Sequence, residues 1–471
     1  MPARHQRLTE ASDELAAALA AIRTELGITA AFPPEALAEA DAFAAAPRLP
    51  DADRTAVGFI TIDPEGSTDL DQALHIERDG DGFFVRYAIA DVPAFVAPGG
   101  AIDAEARRRG QTMYAPDGRV PLHPPDVSEG AASLLAGQER GAYVWLFRLD
   151  ASGAVTETTL ERARVRSREQ LAYREAQERI EAGDAMLGLL REVGELRIAL
   201  EAARDGASLD VPEEEIERDG DEYRIARREL LPVERWNAQL SLMTGMEAAT
   251  LMLRAGRGIL RTMPVPPPSD VRAFRAEVRA IGEEWAEGEH YGAFLRRLDR
   301  SKPTTLAILQ AARRLFRGAG YRVLTEGADA SELEQAAIGA PYAHTTAPLR
   351  RLVDRYVLAH CDAIANGREV PAWAAEGREG LPEIMQASNQ LASRLERESI
   401  DAVEIAVLRH RIGEEFDAVV VDARKDGATI QLIDPPTEAA CETAAEPGTR
   451  IRARLAEANL ATRRLRFVDA R

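Results

Sequence analysis

The stretch Ile62-Asp63-Pro64-Glu65-Gly66-Ser67-Thr68-Asp69-Leu70-Asp71-Gln72 decides how this chain is read. It follows Phe59-Ile60-Thr61-Ile62, an apolar run that predicts a strand ending at Asp63. Asp69 and Asp71 lie two apart, so an extended backbone sends both carboxylates to the same side. Three carboxylates gathered near one point repel one another unless a cation neutralises them, and an all-oxygen donor set favours Mg²⁺ or Mn²⁺ over zinc. A helix-flanked calcium loop is disfavoured, because strands flank the stretch and no Gly stands sixth from Asp63 or Asp69. Taken alone, the stretch fits an acidic surface turn equally well.

Working outward, the period of two continues in Ala73 to Glu77 and Phe83 to Val92, followed by a helix over Ile102 to Gly110. Strands return at Ala142 to Leu149 and Val155 to Arg166, joined by the turn Asp150 to Gly153. Between about 167 and 400 the helical period dominates, broken by the proline run Pro264 to Ser269. The tail reverts to short strands at Phe416 to Val421, Thr429 to Leu432, Arg450 to Leu455 and Arg464 to Val468, the rhythm of a small barrel. Ahead of the acidic stretch, residues 7 to 26 read as one amphipathic helix and Pro33 to about Ala45 as a second. These helices fit either a helix-turn-helix or winged-helix-like module, or two helices packed on the main body. The expected fold class is α+β, divided into a helical module at 1–56, an α+β body at 57–405 and a barrel at 406–471.

The chain has 471 residues, 45% of them apolar, which excludes a disordered or fibrous protein. Its net charge of −19 excludes coating of polyanions by overall field, so a nucleic-acid partner must be met by local Arg clusters or a bridging metal. Lys302 and Lys425 are the only lysines; base composition of the encoding genome accounts for that, although Arg forks also suit phosphate. From Arg450 onward seven Arg face only Glu457 and Asp469. Two cysteines, Cys361 and Cys441, exclude a disulfide framework and a Cys-rich zinc site. With no signal-like start and no run of roughly 18 apolar residues, a cytoplasmic protein without a membrane partner is expected.

A second motif bears on the first. Tyr342-Ala343-His344-Thr345-Thr346-Ala347-Pro348-Leu349-Arg350-Arg351 sets paired arginines after a Pro suited to a helix start, with Asp354 and Arg355 one turn on. An Arg beside carboxylates and a metal can pair with phosphate oxygens and stabilise charge developing in phosphoryl transfer. Plain helix-surface charge is the other reading.

Together with Tyr87 to Val92, the triple Arg before Gly110, Tyr114-Ala115-Pro116, Pro121-Leu122-His123-Pro124, Ser128 to Leu135 and Arg166-Ser167-Arg168 with Leu171-Ala172-Tyr173, these motifs resemble the ribonuclease II family and its RNB catalytic domain. The resemblance runs from about 57 to 400, and Gly413 to Ala470 is similar to the family's C-terminal OB-fold barrel. It implies a mixed sheet surrounded by helices and a processive, Mg²⁺-dependent (Mn²⁺ possible) 3′-to-5′ exoribonuclease that hydrolyses RNA to nucleoside 5′-monophosphates. Carried over by position, Asp63, Asp69 and Asp71 would bind metal, with Gln72 at a fourth site. Asp69, Asp71 and Arg350 would be catalytic. Tyr114 and Tyr173, otherwise core residues, would stack bases without reading them, at roughly 1–3 kcal/mol per base. Glu396, otherwise a helix-surface ion-pair partner, would lie by the 3′-terminal nucleotide, with Arg351 and His344 as further RNA contacts.

The departures are specific. The family has a fourth Asp where this chain has Gln72, and Gln239 stands where an acid is expected; a partner for Tyr173 in base clamping aligns with Ile225. The resemblance also leads one to expect two cold-shock-like barrels ahead of the catalytic domain, for which 56 helical residues leave no room. A more open entrance would admit structured RNA with a 3′ overhang as well as single strands. A monomer is expected, with one or two metals left open. The alternative is an RNA-binding protein of the same fold whose catalysis is weakened or lost through Gln72 and Gln239.

Overall fold

Large and small residues alternate along Tyr87-Ala88-Ile89-Ala90, and the alternation serves two cores, one on each face of the strand. The computed structural model describes all residues except 1–5, 9–11, 208, 210–212, 220–221, 229, 301, 326–331, 425, 436 and 471. A six-stranded sheet runs in the order Val155–Arg166, Glu139–Leu149, Gly82–Ala90, Gln72–Asp79, Ile60–Asp63, Glu169–Ala172. All its pairings are antiparallel except the last, which is parallel. Val85, Tyr87, Ile89, Tyr143, Trp145 and Phe147 fill one face beneath the helices Ala185–Ala203, Pro232–Ala255 and Leu352–Ala365. On the other face Ala88, Ala90, Ala142 and Ala163 let the helix Pro34–Ala45 come close through Ala36 and Ala40.

The first helix is Asp13–Glu25, capped by Ser12 Oγ, which accepts the Leu15 N–H at 3.3 Å. It is shorter than the predicted 7–26 because Gln6–Leu8 instead pairs as a strand with Glu214 to Ile216, a non-local partner. Leu15, Leu19 and Ile22 are fully buried against Leu395, Val403 and Ala406 of the long helix Leu381–Leu408 and against Met113 and Val120. The first two helices therefore enter two different cores, each packed on the body, in line with the second of the two readings of this region. Arg23 donates to Asp117 through both guanidinium nitrogens at 2.6 and 2.8 Å, tying the first helix to the turn of the Met113–Ala115/Gly118–Val120 hairpin. Leu19→Ala should lower unfolding free energy by about 2–4 kcal/mol. A thermal melt of that variant matching the parent would contradict this packing.

The tail closes into a five-stranded barrel ordered Glu415–Arg424, Gly427–Leu432, Glu438–Glu442, Arg464–Asp469, Arg450–Asn459. Phe416, Val420, Ile430, Leu432, Ile451, Leu455 and Phe467 form its interior. Several arginines of the basic tail serve the fold. Arg450 donates to Ala280 O at 2.9 Å and to Ile281 O, satisfying carbonyls at the end of the helix Pro268–Ile281. Arg452 pairs with Asp417, and Arg463 with Glu25 and Glu398.

Gly245, inside the helix Pro232–Ala255, fixes where the second motif lies. Its carbonyl accepts the Ala343 N–H at 3.0 Å, and a Cβ there would meet the Tyr342 ring and come within 2.6 Å of Ala343 O. Only a glycine lets the Tyr342 to Arg351 segment seat this closely.

Candidate active site

The strand Ile60–Asp63 ends at the sheet edge beside Glu169–Ala172, with Asp63 in register with Ala172. That register brings Tyr173, the first residue of the next helix, next to Asp63. Asp71 immediately precedes the strand Gln72–Asp79 and is 3% exposed. Its Oδ1 accepts the Leu349 N–H at 2.8 Å and its Oδ2 faces Arg350 Nε at 3.2 Å, so the two motifs meet at this carboxylate. Thr112 N–H donates to Arg350 O at 2.9 Å, which stitches the Tyr114 hairpin to the same point. Tyr114 is 45% exposed, as a stacking surface must be.

Electrostatics mark the pair Asp63 and Asp71. Burial pushes the Asp63 carboxyl up to about 6, with Arg350 opposing and Asp69 adding to the rise. Burial pushes Asp71 up to about 8; Arg350 and the Leu349 N–H oppose, while Asp69 and Asp354 add to it. Asp63 Oδ2 is buried without a hydrogen-bond partner. The buried Asp71 carboxyl and the half-buried Asp63, with one orphaned oxygen, fit a hard cation, which would supply that partner and restore the ionised forms. Among the described residues no three His, Cys, Asp or Glu side chains group closely enough to hold a metal by themselves. A cation here would find in these carboxylates only part of a shell and would need water or another ligand for the rest.

The other expected residues are distributed unevenly. Asp69 contacts Arg119 instead of sharing Asp71's partners, because residues 67–71 are not a regular strand and the period of two does not apply there. Gln72 donates its amide N–H to Thr346 O, clamping the two motifs together. His344 Nδ1 lies 2.7 Å from the Tyr321 hydroxyl, and burial and Arg351 hold its pKa well below the usual imidazole value. Arg351 donates to both oxygens of Asp354 at 2.8 and 2.9 Å. Glu396 faces Arg313 at 3.5 Å. Gln239 is buried and donates to Glu201 at 2.6 Å. The Ile225 side chain lies outside the described residues.

Tyr114, Arg350, Arg351 and Glu396 line a cavity of about 340 Å³. Through Ser393, Glu396 and Ile400 it adjoins a groove of about 760 Å³ between the long helix and the barrel, lined by five arginines, among them Arg317 and Arg397, and by as many carboxylates, among them Glu396 and Glu438. Two contributors carry no motif of their own. Asn237 bonds Tyr173 and donates to Ile62 O at 3.3 Å, and Arg119 stands across the hairpin from Tyr114. The turn signal Pro116-Asp117-Gly118 would have predicted that hairpin.

Comparison with known proteins bears on this site. The RNB domain family matches residues 52–365, and the RNase II-type exonuclease C-terminal S1 domain matches 414–470. Ribonuclease R of Thermotoga maritima is 25% identical over 426 residues, covering 85% of this chain and 59% of the relative. The chain thus spans about three-fifths of that relative's length. The fold is that of Mycoplasma genitalium RNase R in complex with ribose methylated single-stranded RNA, at a TM-score of 0.81, 18% identity and coverage of 97% and 78% of the two chains. With double-stranded RNA the same enzyme gives 0.79, 19% identity and 97% and 83% coverage. Yeast Ssd1, a pseudonuclease, matches at 0.68 with 14% identity, over 95% and 57% of the chains.

Proposed function

From the premise that this chain belongs to the RNB-domain family, we propose that it is a 3′-to-5′ exoribonuclease that hydrolyses RNA to nucleoside 5′-monophosphates. The observation that carries the reading is the meeting of Asp63, Asp71 and Arg350 beside the exposed ring of Tyr114. Single-stranded RNA would enter by the groove between the long helix and the barrel, pass Glu396 and stack a terminal base on Tyr114, with Tyr173 close to Asp63. Arg350, half exposed and restrained by Asp71, would hold the scissile phosphate and balance the charge developing there. Asp63 and Asp71 would hold Mg²⁺ or Mn²⁺, which when bound lowers the pKa of an attacking water and stabilises the leaving oxygen.

Incubation of 3′- and 5′-labelled RNA with Mg²⁺, then with chelator, tests this. Ladders shortening from the 3′ end and mononucleotide products are expected only with metal. RNA retention without cleavage would instead favour a pseudonuclease, the second reading, which the uncharged Gln72 keeps in view.

A pH signature follows. Both aspartates have folded-state pKa values raised above the ordinary 3.8, so their contribution to stability is complete below that value. It is lost as pH rises through about 6 and then about 8. Mg²⁺ should therefore raise the melting temperature at about pH 8 and have little effect at about pH 4. Equal Mg²⁺ effects at both pH values would rule out these carboxyls as the binding groups.

A further inference from the structure

The hairpin bearing Tyr114 presents a second side chain to the acidic stretch. In its register Arg119 lies directly opposite Tyr114. The Arg119 guanidinium contacts Asp69, donates to Thr68 Oγ1 at 2.8 Å and pairs with Glu129 Oε1 at 3.0 Å. Thr68 in turn donates to Glu129 Oε2 at 2.9 Å. Asp69 is thus held by a protein cation, although it is near enough to Asp63 and Asp71 to act on both. The backbone of the stretch is fixed independently. Ser133 Oγ accepts the Leu70 N–H at 2.9 Å and donates to Thr68 O at 2.6 Å. Loss of Arg119 would free the Asp69 side chain without releasing its backbone.

We infer that Arg119 is a positioning residue that competes with the divalent cation for Asp69, and that Glu129 holds Arg119 when Asp69 turns to the cation. The inference rests on the proposed cation site at Asp63 and Asp71. Arg119, Asp69 and Glu129 have side-chain exposures of 27%, 14% and 31%. Thr68 and Glu129 already share the Arg119 guanidinium with Asp69, so Asp69 can leave it without stranding its charge. Because Arg119 and Tyr114 share one short hairpin, movement of the tyrosine on stacking a base would be felt at Asp69.

The test is Mn²⁺ binding by the full chain without RNA, followed by the electron paramagnetic resonance signal of free Mn²⁺. Arg119→Gln should bind Mn²⁺ about three- to tenfold more tightly than the parent, and Glu129→Gln more weakly by a similar factor. A residue that merely braces the loop would give the opposite sign for Arg119→Gln. Unchanged or weaker binding by a folded Arg119→Gln, or unweakened binding by Glu129→Gln, overturns the inference while leaving the cation site standing. If Arg119→Gln fails to fold, the Glu129→Gln result decides alone. Absence of Mn²⁺ uptake in the parent, or uptake that Asp71→Asn does not reduce, overturns the cation site and this inference with it.

Discussion

Asp71→Asn is expected to slow hydrolysis of single-stranded RNA by about 10³-fold or more while leaving RNA retention within about twofold. The amide keeps the volume and an oxygen for the Leu349 N–H, so the contact between the two motifs survives. It removes the charge that restrains Arg350 and would bind a cation. The substitution also separates catalysis from stability. An ionised Asp71 is costly where it lies, its carboxyl being pushed up to about 8 by burial. The metal-free variant should therefore melt no lower than the parent, and at about pH 8 somewhat higher. Single-turnover cleavage of 3′-labelled RNA, filter retention and a thermal melt give the three readouts. Undiminished cleavage would remove Asp71 from the proposed mechanism.

This separation reflects what a linear sequence can and cannot encode. The period of two in Phe83 to Ala90 predicts the sheet because each strand carries its own burial pattern. The barrel strand Glu438–Glu442 escapes that logic: Glu-Ala-Ala-Cys-Glu has little β-propensity, and it is a strand because Gly427–Leu432 and Arg464–Asp469 flank it. The hairpin formed by Glu213–Asp219 and Glu222–Arg228 lies in a region whose periodicity reads as helical, and its charged sequence gives no apolar alternation to correct that reading.

The site divides similarly. Asp63 at a strand end and Arg350 after Pro348 are visible as motifs. The bond from Leu349 to Asp71 spans 278 positions, and only the family resemblance anticipates it. Spacing alone misleads at Asp69 and Asp71, where an irregular backbone gives the two acids different partners.

Arg350 and Arg351 are adjacent in sequence, and substitution of each should fail in a different way. Arg350 has a side chain 44% exposed and reaches only one oxygen of Asp71, at 3.2 Å. Arg350→Ala should therefore leave the melting temperature nearly unchanged and lower kcat by about 10²–10³-fold, with little change in KM, because its charge matters most in the transition state. Lysine should recover only part of the rate, since one ammonium cannot reproduce a two-pronged phosphate contact. The double variant Asp71→Asn with Arg350→Ala should be scarcely slower than Asp71→Asn alone, because the two groups act as a unit. Arg351 donates to both oxygens of Asp354, a carboxylate with no exposed side-chain surface that also accepts the Ala347 N–H at 2.7 Å. Arg351→Ala strands that charge and should cost about 3–5 kcal/mol of stability. The Ala347-to-Leu349 segment would loosen, and Arg350 would lose its placement as a secondary effect. Melting curves and steady-state kinetics on both single variants separate the two roles. Equal destabilisation would show that Arg350 too is structural, and a large KM effect confined to Arg350→Ala would show that it binds RNA in the ground state instead of acting on the reacting phosphate.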